Sequence, residues 1–60
     1  MHSTVRLNVA LLEQGLRQGA IGVIVGIFDQ PTRAYEVEFA DDQGRTIAEI
    51  ALREDQLEEV

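Results

Sequence analysis

Ala34-Tyr35-Glu36-Val37-Glu38-Phe39-Ala40 leads through Asp41-Asp42-Gln43-Gly44 into Arg45-Thr46-Ile47-Ala48-Glu49-Ile50-Ala51-Leu52, and the reading of this stretch decides the fold. Tyr35, Val37 and Phe39 share one parity and Glu36 and Glu38 the other, the period-two pattern of a half-buried strand. Asp41 to Gly44 reads as a tight hairpin connection, with glycine where a positive φ is easiest. A four-residue connection sets Ala40 opposite Arg45. Counting back on the core face, Phe39 then opposes Thr46, Val37 opposes Ala48 and Tyr35 opposes Ile50. On the outer face Glu38 meets Ile47 and Glu36 meets Glu49. Like charges directly across a strand pair are unfavourable. The strip Glu36, Glu38, Glu49, with apolar Ile47 among them, is therefore a candidate partner-binding surface that an incoming arginine or lysine would relieve. The competing reading is a solvated acidic face that discourages edge-to-edge pairing.

Upstream, Gly22-Val23-Ile24-Val25-Gly26-Ile27-Phe28 is apolar on both parities, as expected of a strand covered on two sides. If Val23, Val25 and Ile27 fill the core, Ile24 and Phe28 point outward. They then add to the contact surface unless Leu16 or the C-terminal segment covers them. Asp29-Gln30-Pro31-Thr32-Arg33 is a proline-centred turn. Nearer the start, Val5, Leu7, Val9 and Leu11 alternate with polar or small residues, which predicts a strand over Thr4 to Leu12. Glu13 to Ala20 follows as a loop anchored by Leu16. Gly15 argues against a helix over residues 8–18. The tail predicts one 3₁₀ turn and then a short closing strand with two apolar anchors, Leu57 and Val60. Five short strands in 60 residues fit an all-β domain, a small closed or partly closed barrel over residues 1–60.

Composition removes several classes of function. Eleven Asp and Glu face five arginines and no lysine, for a formal net charge of -6. The resulting field repels phosphates and anionic headgroups, so nucleic acid and membrane surfaces are poor partners. The arginines are scattered and form no basic patch. No apolar run approaches the length needed to span a bilayer, and the first residues lack the pattern of a secretory leader. The expectation is a soluble cytoplasmic protein. With no cysteine and a single histidine, neither a disulfide nor a structural metal stabilises so small a core.

Catalytic chemistry finds no footing. Gly19-x-x-Gly22 lacks the spacing of a dinucleotide loop and precedes a strand rather than a helix, and no phosphate-binding Gly-Lys-Ser/Thr element occurs. His2 stands next to the terminus, and Ser3 is the only serine, so no nucleophile and base pair can be assembled. Carboxylates catalyse inside clefts that shift their pKa, for which a barrel of this size has little room. The residues predict a non-enzyme with no cofactor and no metal.

The elements Gly15-Leu16-x-x-Gly19-x-x-Gly22-x-Ile24-Val25, Tyr35-Glu36-Val37-Glu38-Phe39 and Asp42-Gln43-Gly44-Arg45-Thr46, with Leu52 and Gln56-Leu57 after them, resemble an uncharacterised family of small bacterial proteins, domain-of-unknown-function family 4926. The resemblance implies an SH3-like barrel of the kind also seen in KOW modules. It also implies, through relatives encoded beside candidate toxins, an antitoxin or immunity role. It supplies no catalytic residues. Together these readings favour a non-catalytic protein-interaction module whose acidic face (Glu36, Glu38, Ile47, Glu49, with Ile24 and Phe28) binds a basic protein. The alternatives are a self-associating homo-oligomer built on the spare apolar residues, and a weak nucleic-acid binder acting through the loops that carry Arg17 or Arg33.

Overall fold

A computed structural model describes residues 3–60, so His2 lies outside the described residues. The element order is β1 (Thr4–Leu7), a 3₁₀ turn (Leu12–Gln14), β2 (Ile21–Phe28), β3 (Ala34–Ala40), β4 (Thr46–Leu52), a second 3₁₀ turn (Glu54–Gln56) and β5 (Leu57–Glu59). All pairings are antiparallel, in one sheet of order β4-β3-β2-β1-β5. The chain is therefore all-β, as its periodicity predicts, and the order is compatible with an SH3-like barrel. Strands β4 and β5 stand at the two ends of that order, and no ladder joins them among the described residues. Among the described residues no helix is long and apolar enough to cross a membrane.

The first strand is shorter than its alternation suggests. The Leu7 amide donates to the Ala20 carbonyl at 2.9 Å, the Leu7 carbonyl accepts from Gly19 at 2.9 Å, and the Asn8 amide turns to the Gln56 carbonyl at 2.8 Å. Past Leu7 the chain leaves the ladder, and Val9 becomes exposed. Leu11 and Leu16 then exchange backbone hydrogen bonds around a tight loop, which Gly15 closes at φ +73°. This loop drives Leu16 into the core, the anchoring role its isolated position predicts.

Val5, Leu7, Leu16, Val37, Phe39 and Leu52 form the buried cluster. Leu11, Ala20, Ile24, Tyr35, Ala48, Ile50 and Leu57 pack against it, partly covered. Gly22 sits where a β-carbon would lie 2.7 Å from Val37 Cγ1 and 2.8 Å from Phe39 Cε1. Its lack of a side chain lets β2 press onto the two buried residues of β3.

Two bulges set which residues face inward. Between β2 and β3 the register runs Gly22↔Phe39, Val23↔Glu38, Ile24↔Val37, then Gly26↔Glu36, Ile27↔Tyr35 and Phe28↔Ala34, leaving Val25 as the extra residue. Directly opposed residues share a face, so Gly22 and Ile24 lie on the core side and Val23 on the outer side. The expectation that Val23, Val25 and Ile27 fill the core is thus overturned. Val25 is exposed at the bulge, and Ile27, on the inner side beyond it, is 56% exposed near the open end of the sheet. Ile24 points inward, contrary to its assignment as a contact residue, because it pairs with fully buried Val37. Phe28 does face out, uncovered.

Between β3 and β4 the connection takes five residues, and a second bulge follows. Ala40 pairs with Thr46, whereas Phe39 pairs with Ala48, leaving Ile47 as the extra residue. From there Val37 opposes Ile50 and Tyr35 opposes Leu52 on the core side, and Glu38 opposes Glu49 and Glu36 opposes Ala51 outside. The pairing is displaced by two residues from the expected one. An even displacement keeps every side chain on its face, so the inward set survives although each partner changes.

Candidate functional site

The outer side of β2, β3 and β4 carries the candidate residues in rows that follow from the register. One row reads Val23, Glu38, Glu49 and the next Gly26, Glu36, Ala51, with Phe28 beside Ala34 at the end of the hairpin. Glu38 and Glu49 are the directly opposed acidic pair; the expected pair, Glu36 with Glu49, is diagonal instead. The diagonal contact nevertheless forms. Glu36 stands between Gly26 and Ala51, and its carboxyl comes within hydrogen-bonding reach of Glu49. A hydrogen bond between two carboxyls needs a shared proton. That contact, reinforced by partial desolvation and by the Glu36 charge, raises the Glu49 pKa above the usual glutamate value.

Among the described residues no cation is paired with this strip. Among the described residues the ion pairs are Arg6 with Glu58 at 3.6 Å, Arg33 with Asp29 at 3.3 Å, Arg45 with Asp41 at 3.2 Å and Arg53 with Asp55 at 3.2 Å. Four arginines are thus matched locally to loop and edge carboxylates, and none reaches Glu36, Glu38 or Glu49. The pairs of Arg6, Arg33 and Arg53 are solvent-exposed on both sides and contribute little to stability, whereas Asp41 is half-buried. The four pairs leave Glu36, Glu38 and Glu49, neighbours on the face of β3 and β4, without an arginine partner among the described residues.

The proposed contact residues divide between this face and other places. Glu36, Glu38, Glu49 and Phe28 share the outer side. Ile24 lines a cleft of about 490 Å³ on the inner side with Ser3, Val5, Ile27, Tyr35, Glu54, Leu57 and Glu59. Ile47, at the bulge, has no residue opposite it and lines a shallow groove with Leu16, Arg17, Ile21 and Ala40. Val23, missed because strand parity was counted through the bulge, belongs to the face beside Glu38. Gly26 within an apolar strand is the sequence signal that could have located that bulge.

The structure of the Asp41 loop explains why the strip is held in this register. The Asp41 Oδ1 accepts from the amides of Gln43 and Arg45, each at 2.9 Å, and Oδ2 accepts from Arg45 Nε at 3.2 Å. The Asp41 amide donates to the Arg45 carbonyl at 2.8 Å, and Gly44 supplies the positive φ of +83°. The amide of Arg45 pulls the Asp41 pKa below its usual value; desolvation opposes it, and the amide of Gln43 and the Arg45 guanidinium add to the lowering. No three His, Asp or Glu side chains among the described residues are grouped to hold a metal ion.

Comparison with known proteins places this chain in a family. A family model described as "Domain of unknown function (DUF4926)" matches residues 1–59. No curated protein and no solved structure matches the chain. The match covers all but the last residue, and the chain belongs to the DUF4926 family.

Proposed function

We propose, taking membership of the DUF4926 family as the premise, that the chain is a non-catalytic protein-interaction module whose outer β3/β4 face binds a basic protein surface. The observation that carries this reading is the arrangement of Glu36, Glu38 and Glu49, three neighbouring carboxylates with no arginine among them in a chain that matches four of its five arginines elsewhere. A partner's guanidinium or ammonium groups placed there replace carboxylate repulsion with charge-assisted hydrogen bonds. Val23 and Phe28 flank the carboxylates and supply apolar area, so that recognition need not depend on charge alone. The partner is a basic protein, and a toxin neutralised by this chain in an antitoxin or immunity pairing fits that chemistry. Electrostatic steering by a net charge of -6 favours rapid capture of such a partner at low salt.

The test is an NMR titration of the labelled protein with arginine-rich peptides. Shifts confined to Val23, Phe28, Glu36, Glu38, Glu49 and their neighbours, weakened by salt and lost in the Glu36→Gln/Glu38→Gln/Glu49→Gln variant, are the expected result. Equal binding by that variant, with its strand circular dichroism intact, overturns the reading.

A further inference from the structure

The acidic face ends at a strand edge, and the two edges of the sheet are built very differently. Strand β5 is three residues long and carries two glutamates, the short and charged form that natural sheets use to block pairing. Strand β4 is seven residues long, Thr46-Ile47-Ala48-Glu49-Ile50-Ala51-Leu52, with one charge, no lysine and no proline. Among the described residues its only ladder is with β3, and no backbone hydrogen bond leaves its other side. Alternate N–H and C=O groups of β4 therefore point away from the sheet without a protein partner. Only the bulge at Ile47 interrupts them, at one end.

We infer that β4 is a docking edge, and that the basic partner adds an extended segment beside it as a sixth strand. This inference rests on the acidic-face reading and specifies the mode of binding. A strand laid along β4 places alternate side chains on the outer face next to Glu49 and Ala51, in the rows that continue to Glu38 and Glu36. Basic residues at those positions meet the carboxylate strip. The intervening side chains fall on the opposite side, beside Ala48 and Ile50, where small or aliphatic groups fit. The occupant is accordingly a segment alternating basic and apolar residues over about six or seven positions. A second copy of this chain is the wrong occupant on charge: its own β4 brings another Glu49 against the first, and -6 against -6. Backbone hydrogen bonds supply affinity in this mode and the alternating side chains supply selection.

The experiment uses the full chain and the peptide Thr-Arg-Val-Arg-Val-Arg-Thr in three forms. One is unmodified, and the other two carry backbone N-methyl groups on alternate residues, so that one or the other of its two hydrogen-bonding edges is blocked. A strand added to β4 uses a single edge of the peptide. The expected result is that one methylated form loses roughly tenfold or more in affinity while the other retains it, with peptide-induced amide protection over residues 46–52. If both methylated forms bind as well as the parent and still need Glu36, Glu38 and Glu49, binding is by side chains alone; the edge inference fails and the acidic-face reading stands. If no form binds, both fail. Sedimentation of the free chain as a dimer with protected β4 amides makes a second copy the occupant and overturns the inference as well.

Discussion

The two long hairpins share β3 but close in different ways. The β2–β3 turn, residues 29–33, contains a cis Gln30–Pro31 peptide and one exposed ion pair, Arg33 with Asp29. The β3–β4 turn is organised by a single side chain, Asp41, that accepts two amides and a guanidinium while Gly44 takes the left-handed conformation. Each hairpin also contains one bulge, at Val25 and at Ile47. The comparison teaches that a turn clamped by a side chain that accepts backbone amides fixes the register of the strands it joins. A turn held by a surface ion pair leaves that task to the packing of Gly22, Val37 and Phe39.

Removing the shared support abolishes the difference. Phe39→Ala deletes a fully buried ring at the junction of both hairpins and is expected to destabilise by about 3–5 kcal/mol. A 60-residue domain has a total of roughly 3–9 kcal/mol to lose. The variant is therefore expected to be largely unfolded at 25 °C, as read by amide dispersion and urea denaturation. A native-like spectrum and an unchanged midpoint would count against the core described here.

A smaller effect separates the turns themselves. Asp41→Ala strips three hydrogen bonds from one loop, and Asp29→Ala strips one exposed contact from the other. The first is expected to lower the thermal midpoint clearly and to speed amide exchange at both ends of the β3–β4 hairpin. The second should leave both measurements within error. Equal effects would erase the distinction drawn between the turns.

The smallest expected effect is in pH dependence, and it has opposite signs in two windows. Glu49 has a raised pKa, so the folded state takes up its proton before the unfolded chain does. Stability therefore rises as pH falls from neutrality through the Glu49 titration. Asp41 has a lowered pKa, so its contribution is complete above the usual aspartate value and disappears as pH falls further, through its own titration below about pH 4. Urea midpoints across pH 3–7 should pass through a shallow acid-side maximum. Glu49→Gln is expected to flatten the upper limb and Asp41→Asn the lower one. A monotonic loss of stability from pH 7 downward contradicts the Glu36–Glu49 contact.

Much of this architecture is legible in the residues because period-two alternation survives most errors of detail. Ala34 to Ala40, the Gly44 turn, buried Leu16 and the 3₁₀ turn before the last strand all follow from local pattern. The hairpin partners do not, since a fifth loop residue and a bulge each shift the count by one. The two shifts sum to an even number, so the acidic residues stay outside and the core residues inside. In β2 a single shift has no such compensation, and counting Val23 and Ile24 by parity assigns each to the wrong side. A continuous apolar run offers no alternation from which to detect the slip. The β4 edge is likewise invisible locally, because which strand ends a sheet depends on the whole topology.

Gly22 gives the molecule an unusual mutational profile. Every other amino acid has a β-carbon, and that atom alone would collide with Val37 and Phe39. A saturation library at this codon therefore contains no conservative member, and alanine should be purged alongside tryptophan. At Gly26 the same atom would meet only the Glu36 Cβ, at 3.4 Å, and small replacements should survive. Deep sequencing of the two codons would report the close approach of β2 to Val37 and Phe39 from display alone.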